Sequence, residues 1–453
     1  MEETASLPGF REFYPRPMAL RRHVVDVWRT VAERYGFVEY DGPPLEPLEL
    51  YTRKSGEEIV EQLYAFTDKG GRDVALRPEM TPTFARMVSQ KAKALPKPIK
   101  WYSVPQLFRY ERPQRGRLRE HFQLNMDIVG ETGVLADAEL VAAGLDVLRA
   151  FGLGAEDVEA RISDRRLAAD LLRGTGVEEA RIDEAFRALD KAEREDEDRV
   201  LERLEAAGAD ASGARELLEL LEGAGLEEVA ERAAAGGGEA GAAAERLERL
   251  FGHLEDFGLG DFVRFDPGLV RGLAYYTGTV FELWDRSGEL RAICGGGRYD
   301  DLLAALGGKD LPALGFGMGD VVLAELLEER GLVPEPEFGL DEYLVCVSEE
   351  QRPLALRLAR ALREAGRRVG YDLRARNVGR QFRAADQRDA ARAVVLGPDE
   401  VERGVATVQQ MASGDEREVP LETLLEGDAR VEALLEGGAG GDGDRAARGE
   451  AGD

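Results

Sequence analysis

The sequence predicts a multidomain α+β protein: a strand-rich core interrupted by a long helical insertion, followed by a separate α/β domain. Three observations carry this. Residues 120–130 alternate apolar and polar side chains; residues 155–262 turn to Leu, Ala, Glu and Arg at helical spacing; and after the stretch PEPEFGLDE the chain alternates β-α-β-α-β. A chain of 453 residues has room for two or three domains at ~100–200 residues each.

Taken in order, residues 18–35 place Leu20, Val24, Val27, Trp28 and Val31 on one helical stripe, and Gly36 supplies a left-handed stop. FVEY reads as a short strand, followed by a segment carrying Pro43, Pro44 and Pro47. Strands are expected at 74–77 and 99–109, a helix at 82–94, a strand at 120–130 and a helix at 135–151. Residues 155–262 read as the helical insertion, with the low-complexity stretch AAAGGGEAGAAAE as a flexible turn inside it. Strand-like sequence resumes at 262–285, and 319–330 is a helix. The core is therefore expected at 1–154 and 263–333, a linker at 334–342, the α/β domain at 343–430 and a disordered acidic, Gly-rich tail at 431–453.

Composition excludes several function classes. The net charge of −28 argues against indiscriminate nucleic-acid coating, which runs on surface Lys and Arg, yet leaves room for a clustered basic site. Two cysteines and three histidines make neither a disulfide framework nor a zinc site, so no zinc is expected. GxSxG and GxxxxGK[ST] strings are both absent. The N-terminus shows neither a basic n-region nor an apolar run, and no segment approaches ~18 uninterrupted apolar residues, so a cytoplasmic protein with no membrane partner is expected.

Against that acidic background, RYERPQRGRLREHFQ (109–123) packs five arginines around a Pro and a Gly. It leads into a strand with Phe122, Leu124, Met126 and Ile128 on one face and His121, Gln123, Asn125 and Asp127 on the other. A solvated edge would use Lys and Glu, and this face has neither. By the same period, Arg109 and Glu111 share a face of the preceding strand, so the stretch is a hairpin.

These residues resemble motif 2 of the class II aminoacyl-tRNA synthetases in the form found in histidyl-tRNA synthetases. LVRGLAYYTGTVFE (269–282) and AICGGGRYDDLL (292–303) resemble that family's two histidine signatures, LRPEMT (76–81) its amino-acid-binding segment, and the Pro43–Pro47 region its motif 1. The resemblance implies a class II catalytic domain built on an antiparallel sheet, a helical insertion and a C-terminal anticodon-binding domain. It implies ATP with Mg²⁺ held mainly by the nucleotide, L-histidine and tRNA(His) as ligands, and a homodimer.

Carried over residue by residue, Arg109 and Arg271 are the catalytic arginines at the α-phosphate. Arg109, Glu111, Arg117 and His121 would bind ATP, with Glu111 on the adenine edge, His121 stacked on the base and Arg117 at the distal phosphates. Glu79, Thr81, Gln123, Asp127, Arg271, Tyr275, Tyr276 and Tyr299 would hold histidine, Asp127 and Tyr276 meeting its imidazole. Gly295, Gly296 and Gly297 would let the backbone approach the ligand. Arg112, Gln114 and Arg115 would meet the tRNA acceptor end, including an extra 5′ guanosine, and Arg374, Arg376, Arg380 and Arg383 could face the anticodon.

Five positions depart from the family pattern. Val322 stands where motif 3 has an arginine for the γ-phosphate, so either Arg115, Arg117 or another residue compensates or ATP binds more weakly. Ala274 replaces a common Asp, His121 and Phe122 are exchanged, and Asp127 replaces a Glu. The alternative reading is the synthetase-like regulatory subunit of ATP phosphoribosyltransferase, which senses histidine without catalysis. That paralogue generally lacks the anticodon domain and degrades LVRGLxYY, whereas this chain carries both.

Overall fold

The computed structural model describes residues 5–52, 61–189, 196–221, 223–234, 239–269, 275–306, 308–374 and 376–426. Contacts divide the chain into two units, 1–334 and 335–453.

The first unit opens with the helix Pro15–Arg34, which has proline in its first turn and buries Val24, Trp28 and Val31 along one stripe. It gives way at Gly36, whose φ of 74° only glycine adopts without strain. Twelve strands of this unit are described: β1 (Val38–Glu39), β2 (Leu45–Pro47), β3 (Ala65–Thr67), β4 (Asp73–Leu76), β5 (Ile99–Ser103), β6 (Gln106–Phe108), β7 (Glu120–Val129), β8 (Val158–Asp164), β9 (Val263–Phe265), β10 (Thr279–Asp285), β11 (Cys294–Arg298) and β12 (Ala313–Gly319). Nine form one sheet in the order β1-β5-β7-β12-β11-β10-β8-β9, with β6 also paired to β7. Its pairings are antiparallel apart from β1 with β5 and β8 with β9. β2, β4 and β3 make a small separate sheet in that order.

Strand β7 lies inside the main sheet, between β5 and β12, so its polar face is not a solvated edge. Leu124, Met126 and Ile128 enter the large core with Leu314, Phe316 and Met318 of β12. Each such side chain contributes about 1.5–3 kcal/mol by leaving water. The helices Pro15–Arg34, Val134–Ala150 and Asp320–Glu329 contribute to the same core. The opposite face of β7 and β12 is left for the site.

The structure moves several expected boundaries. Residues 158–164 were expected in the helical insertion but form β8, paired along its whole length with β10. Val158, Ala160 and Ile162 point into the core; the alternation in VEARI is short, and Glu, Ala and Arg match the helix-forming composition of the segment that follows. Helices then run from Arg165 to Asp256 with a core of their own, including Leu172, Phe186, Leu204 and Leu217. The expected flexible turn at 233–245 is already helical from Ala240, and residues 235–238 lie outside the described residues. The expected strand at 99–109 is broken after Ser103 by Val104 and Pro105 into β5 and β6.

In the second unit a five-stranded sheet runs β14 (Val369–Tyr371), β13 (Glu342–Cys346), β15 (Arg392–Leu396), β16 (Val405–Gln410) and β17 (Glu416–Pro420). The first three are parallel, with the helices Arg352–Glu364 and Val378–Asp386 as crossovers, and β16 and β17 add an antiparallel hairpin. The expected linker ends one residue early, because Glu342 is already in β13, where it takes Arg367 and Arg392 as ion-pair partners. The expected tail at 431–453 lies outside the described residues.

Candidate active site

Alternation along β7 and β12 builds the site floor. His121, Gln123, Asn125 and Asp127 share one face of β7, and in register beside them β12 places Gly319, Gly317 and Gly315 opposite Gln123, Asn125 and Asp127. On the next strand Gly297 and Gly295 oppose Gly315 and Gly317. A β-carbon on Gly317 would lie 2.7 Å from Cδ of Gln123, and one on Gly315 would collide with the Asp127 carboxylate. Glycine thus keeps β12 bare so that β7's polar side chains can lie across it.

The expectation that Gly295, Gly296 and Gly297 all serve ligand approach needs correction. A β-carbon on Gly296 would meet Phe316 Cβ at 2.6 Å and one on Gly297 the Thr279 carbonyl at 2.5 Å, so neighbouring strands require these two glycines. Only Gly295 has room above it.

Two adjoining cavities of about 440 and 300 Å³ open on this floor and share Arg109, Gln123, Glu282, Gly295 and Gly317 as walls. The larger holds Arg109, Glu111, Arg117 and His121, the residues expected at ATP. The smaller holds Glu79, Thr81, Gln123, Asp127, Tyr275, Tyr276 and Tyr299, those expected at histidine. Arg271 and Ala274 lie outside the described residues.

The hairpin supplies the larger cavity's charge. The backbone N–H of Arg109 donates to Arg119 O at 3.0 Å, and Gln114 and Arg117 close the turn around Gly116, whose φ is 70°. The Arg109 guanidinium donates through Nε to the Pro78 carbonyl at 2.9 Å, which aims it between the cavities. Arg117 Nε lies 2.9 Å from Glu111 Oε2, a contact close enough for an ion pair but not aligned as a hydrogen bond. Burial, then the charges of Arg109 and Arg11, push the His121 pKa down to about 3, leaving a neutral ring.

Arg119, which had no expected role, donates to the Glu111 carbonyl at 3.0 Å and lies 4.4 Å over the Tyr110 ring, bracing the hairpin. Arg112 and Gln114 are exposed. Arg115 is also exposed but is engaged by Glu325 and Glu329 on the helix Asp320–Glu329. Val322, on the same helix, is buried in the core.

The smaller cavity is aromatic with three carboxylates, Glu79, Asp127 and Glu282. Tyr275 stacks edge-on against Tyr276 and Tyr299 at 5.3 and 5.8 Å and donates to Glu79 Oε2 at 3.2 Å. Tyr299 donates to Asp127 Oδ1. Burial raises the Asp127 pKa to about 7, with the Tyr299 hydrogen bond opposing it. A carboxyl balanced between its two forms can accept from, or donate to, an imidazole.

Sequence reasoning missed Arg298, although it lies inside GGGRYD. Gly295 and Gly297 face the site, so the strand period sends Arg298 the other way, beneath the floor, where it is 3% exposed. It also missed Arg291, Glu282 and Cys294, which line the larger cavity. Among the described residues no cluster of His, Cys, Asp and Glu suits a metal ion, and no helix is long and apolar enough to cross a membrane.

An antiparallel sheet whose polar face is edged by an arginine hairpin is the catalytic architecture of class II aminoacyl-tRNA synthetases. Within that class the chain belongs to the histidyl-tRNA synthetase family: residues 9–320 match the family model described as histidyl-tRNA synthetase, and residues 341–427 match that of an anticodon binding domain. A histidine–tRNA ligase of Opitutus terrae is 48% identical over 92% of this chain and 96% of its own length. One from Haloarcula marismortui is 43% identical over 92% and 95%. The crystal structure of histidyl-tRNA synthetase from a Nostoc species matches at a TM-score of 0.77 and 25% identity, covering 95% of this chain and all of that one.

Proposed function

We infer that the protein ligates L-histidine to tRNA(His) through histidyl-adenylate, releasing pyrophosphate and AMP. The observation that carries this reading is the pair of cavities: ATP-type and histidine-type side chains occupy separate spaces that share a wall at Arg109, Gln123 and Gly317. Across that wall the histidine carboxylate attacks the α-phosphate, an oxygen–phosphorus bond forms, and the bond to the β-phosphate breaks with loss of pyrophosphate. The terminal adenosine hydroxyl of the tRNA then attacks the activated carbonyl and AMP leaves.

Arg109 stabilises the charge that develops on the α-phosphate, from a position fixed before substrate arrives; Arg271 is assigned beside it by resemblance. Glu111 reads the adenine edge, His121 stacks on the base, and Arg117 takes the distal phosphates. Glu79, Thr81 and Gln123 receive the α-amino end, while Asp127, Tyr276 and Tyr299 surround the imidazole. A pocket that pairs both ring nitrogens excludes analogues lacking them, because its own polar groups would be left without partners. Mg²⁺ accompanies ATP and is held mainly by the nucleotide's own phosphate oxygens, the hard donors such a cation takes.

Arg112, Gln114 and Arg115 meet the acceptor end. Arg374, Arg380 and Arg383 are exposed in the C-terminal unit and available to an anticodon, whereas Arg376 is tied to Asp372 at 2.9 Å. The same reading, with β8 moved into the core and β13 begun at Glu342, makes 1–164 with 263–333 the catalytic core, 165–262 the insertion and 342–430 the anticodon domain of a cytoplasmic homodimer. The exposed apolar Leu45 and Phe66 on the small sheet support a dimer face at motif 1; sedimentation of the purified protein tests it. The histidine-sensing regulatory subunit has less support, since the chain carries the anticodon-binding block. Histidine-dependent exchange of pyrophosphate into ATP is the deciding assay, and no exchange by folded protein would refute the ligase.

A further inference from the structure

We propose that Arg291 supplies the cation at the distal phosphates of ATP that Val322 leaves out of motif 3. The proposal rests on the ligase reading above and deepens it. Val322 is 8% exposed and packs in the core, so its position contributes no charge to the cavity it borders. Arg115 cannot take over while Glu325 and Glu329 hold it, and it does not line the cavity.

Among the described residues the larger cavity has three arginines, Arg109, Arg117 and Arg291. Arg109 also lines the smaller cavity and therefore marks the α-phosphate end. Arg291 lies at the other end, beside the hairpin tip. A β-carbon on Gly116 would sit 3.3 Å from Val322 Cγ2 and 3.5 Å from Arg291 Cδ, so the arginine stem passes the point that the valine borders. Gly116 immediately precedes Arg117, so the Arg291 stem runs beside the backbone that carries the residue assigned to the distal phosphates.

The loop bearing Arg291 is anchored on both sides. Leu290 and Ile293 are buried, and Ile293 donates its N–H to the Leu283 carbonyl at 2.8 Å. A permanently charged fork on a fixed backbone suits the β- and γ-phosphoryl oxygens, and it reaches them from the β10–β11 loop instead of from the helix after β12.

The test measures histidine-dependent pyrophosphate exchange and inhibition by AMP, which lacks the distal phosphates, for Arg291→Ala and Arg291→Lys. In Arg291→Ala, KM for ATP rises tenfold or more, while KM for histidine and inhibition by AMP stay unchanged; Arg291→Lys recovers part of the loss. Equal weakening of AMP and ATP would mean a structural role and overturn the proposal, as would an unchanged KM for ATP. Exchange by the unsubstituted protein reports on the ligase reading separately, so either can fail alone.

Discussion

Arg298 and Asp137 form a buried ion pair beneath the active-site floor, with Nη2 to Oδ2 at 2.7 Å and Nε to Oδ1 at 2.9 Å. Arg298 also donates to the Glu131 and Gly133 carbonyls at 3.0 Å, and Arg246 of the helix Ala240–Asp256 reaches the same carboxylate at 2.7 Å. One aspartate thereby joins β11, the helix Val134–Ala150 and the last helix of the helical segment. The strand that carries Tyr299 into the histidine cavity is held from below.

Removing Arg298 leaves the buried Asp137 carboxylate with Arg246 as its remaining partner and takes a donor from the Glu131 and Gly133 carbonyls. Arg298→Met is expected to lower the stability of the first unit by about 3–5 kcal/mol. Urea unfolding followed by tryptophan fluorescence checks this, and Arg298→Met with Asp137→Leu should recover part of the loss.

Asp127 gives a pH prediction. Its folded pKa, raised to about 7 by burial, lies above the ordinary value of about 3.9. Between the two the folded state binds more protons than the unfolded one, so this group's contribution to stability falls as pH rises toward 7. Asp127→Asn lacks that slope. Its melting temperature relative to the parent should therefore rise between pH 5 and pH 8; a constant difference would refute the shift.

Gly317→Ala is expected to push Gln123 off the floor, given the 2.7 Å approach. Losing one hydrogen bond to the charged α-amino group costs about 1.5–3 kcal/mol. That corresponds to a rise of roughly 10- to 150-fold in KM for histidine, read by exchange kinetics with ATP saturating.

Gln114→Ala should weaken aminoacylation by roughly 2- to 10-fold, the worth of one neutral hydrogen bond, and leave pyrophosphate exchange unchanged. Gln114 is exposed at the hairpin tip and lines neither cavity. Equal loss in both assays would remove it from the acceptor end.

Strand β7 was legible because its alternation runs uninterrupted and its polar side chains are not the usual solvent-facing ones. Residues of both cavities were reached through that strand and the motifs beside it, but Arg291, Glu282 and Cys294 of the larger cavity were not. β8 was not legible, because its alternation in VEARI is short and Glu, Ala and Arg match the helix-forming composition of the segment that follows. β2 and β3 span three residues each, too few for a periodic signal, whereas β4 (Asp73–Leu76) lies where a strand was expected at 74–77. Arg298 could have been found by extending the strand period through GGGRY. Arg291 could not: a loop residue has no period, and Val322 signalled only that some cation was needed.

Under the proposed assignment of Arg115 to the acceptor end, the grip of Glu325 and Glu329 on it makes contact with RNA an exchange of partners. A stray phosphate must displace two carboxylates already in place, so its net gain is only the difference between two ion pairs. An acceptor stem that engages several hairpin positions at once can outbid them cooperatively. The loop is in that sense a threshold device, whose resting partners set how much of the correct RNA must be present before the arginine lets go.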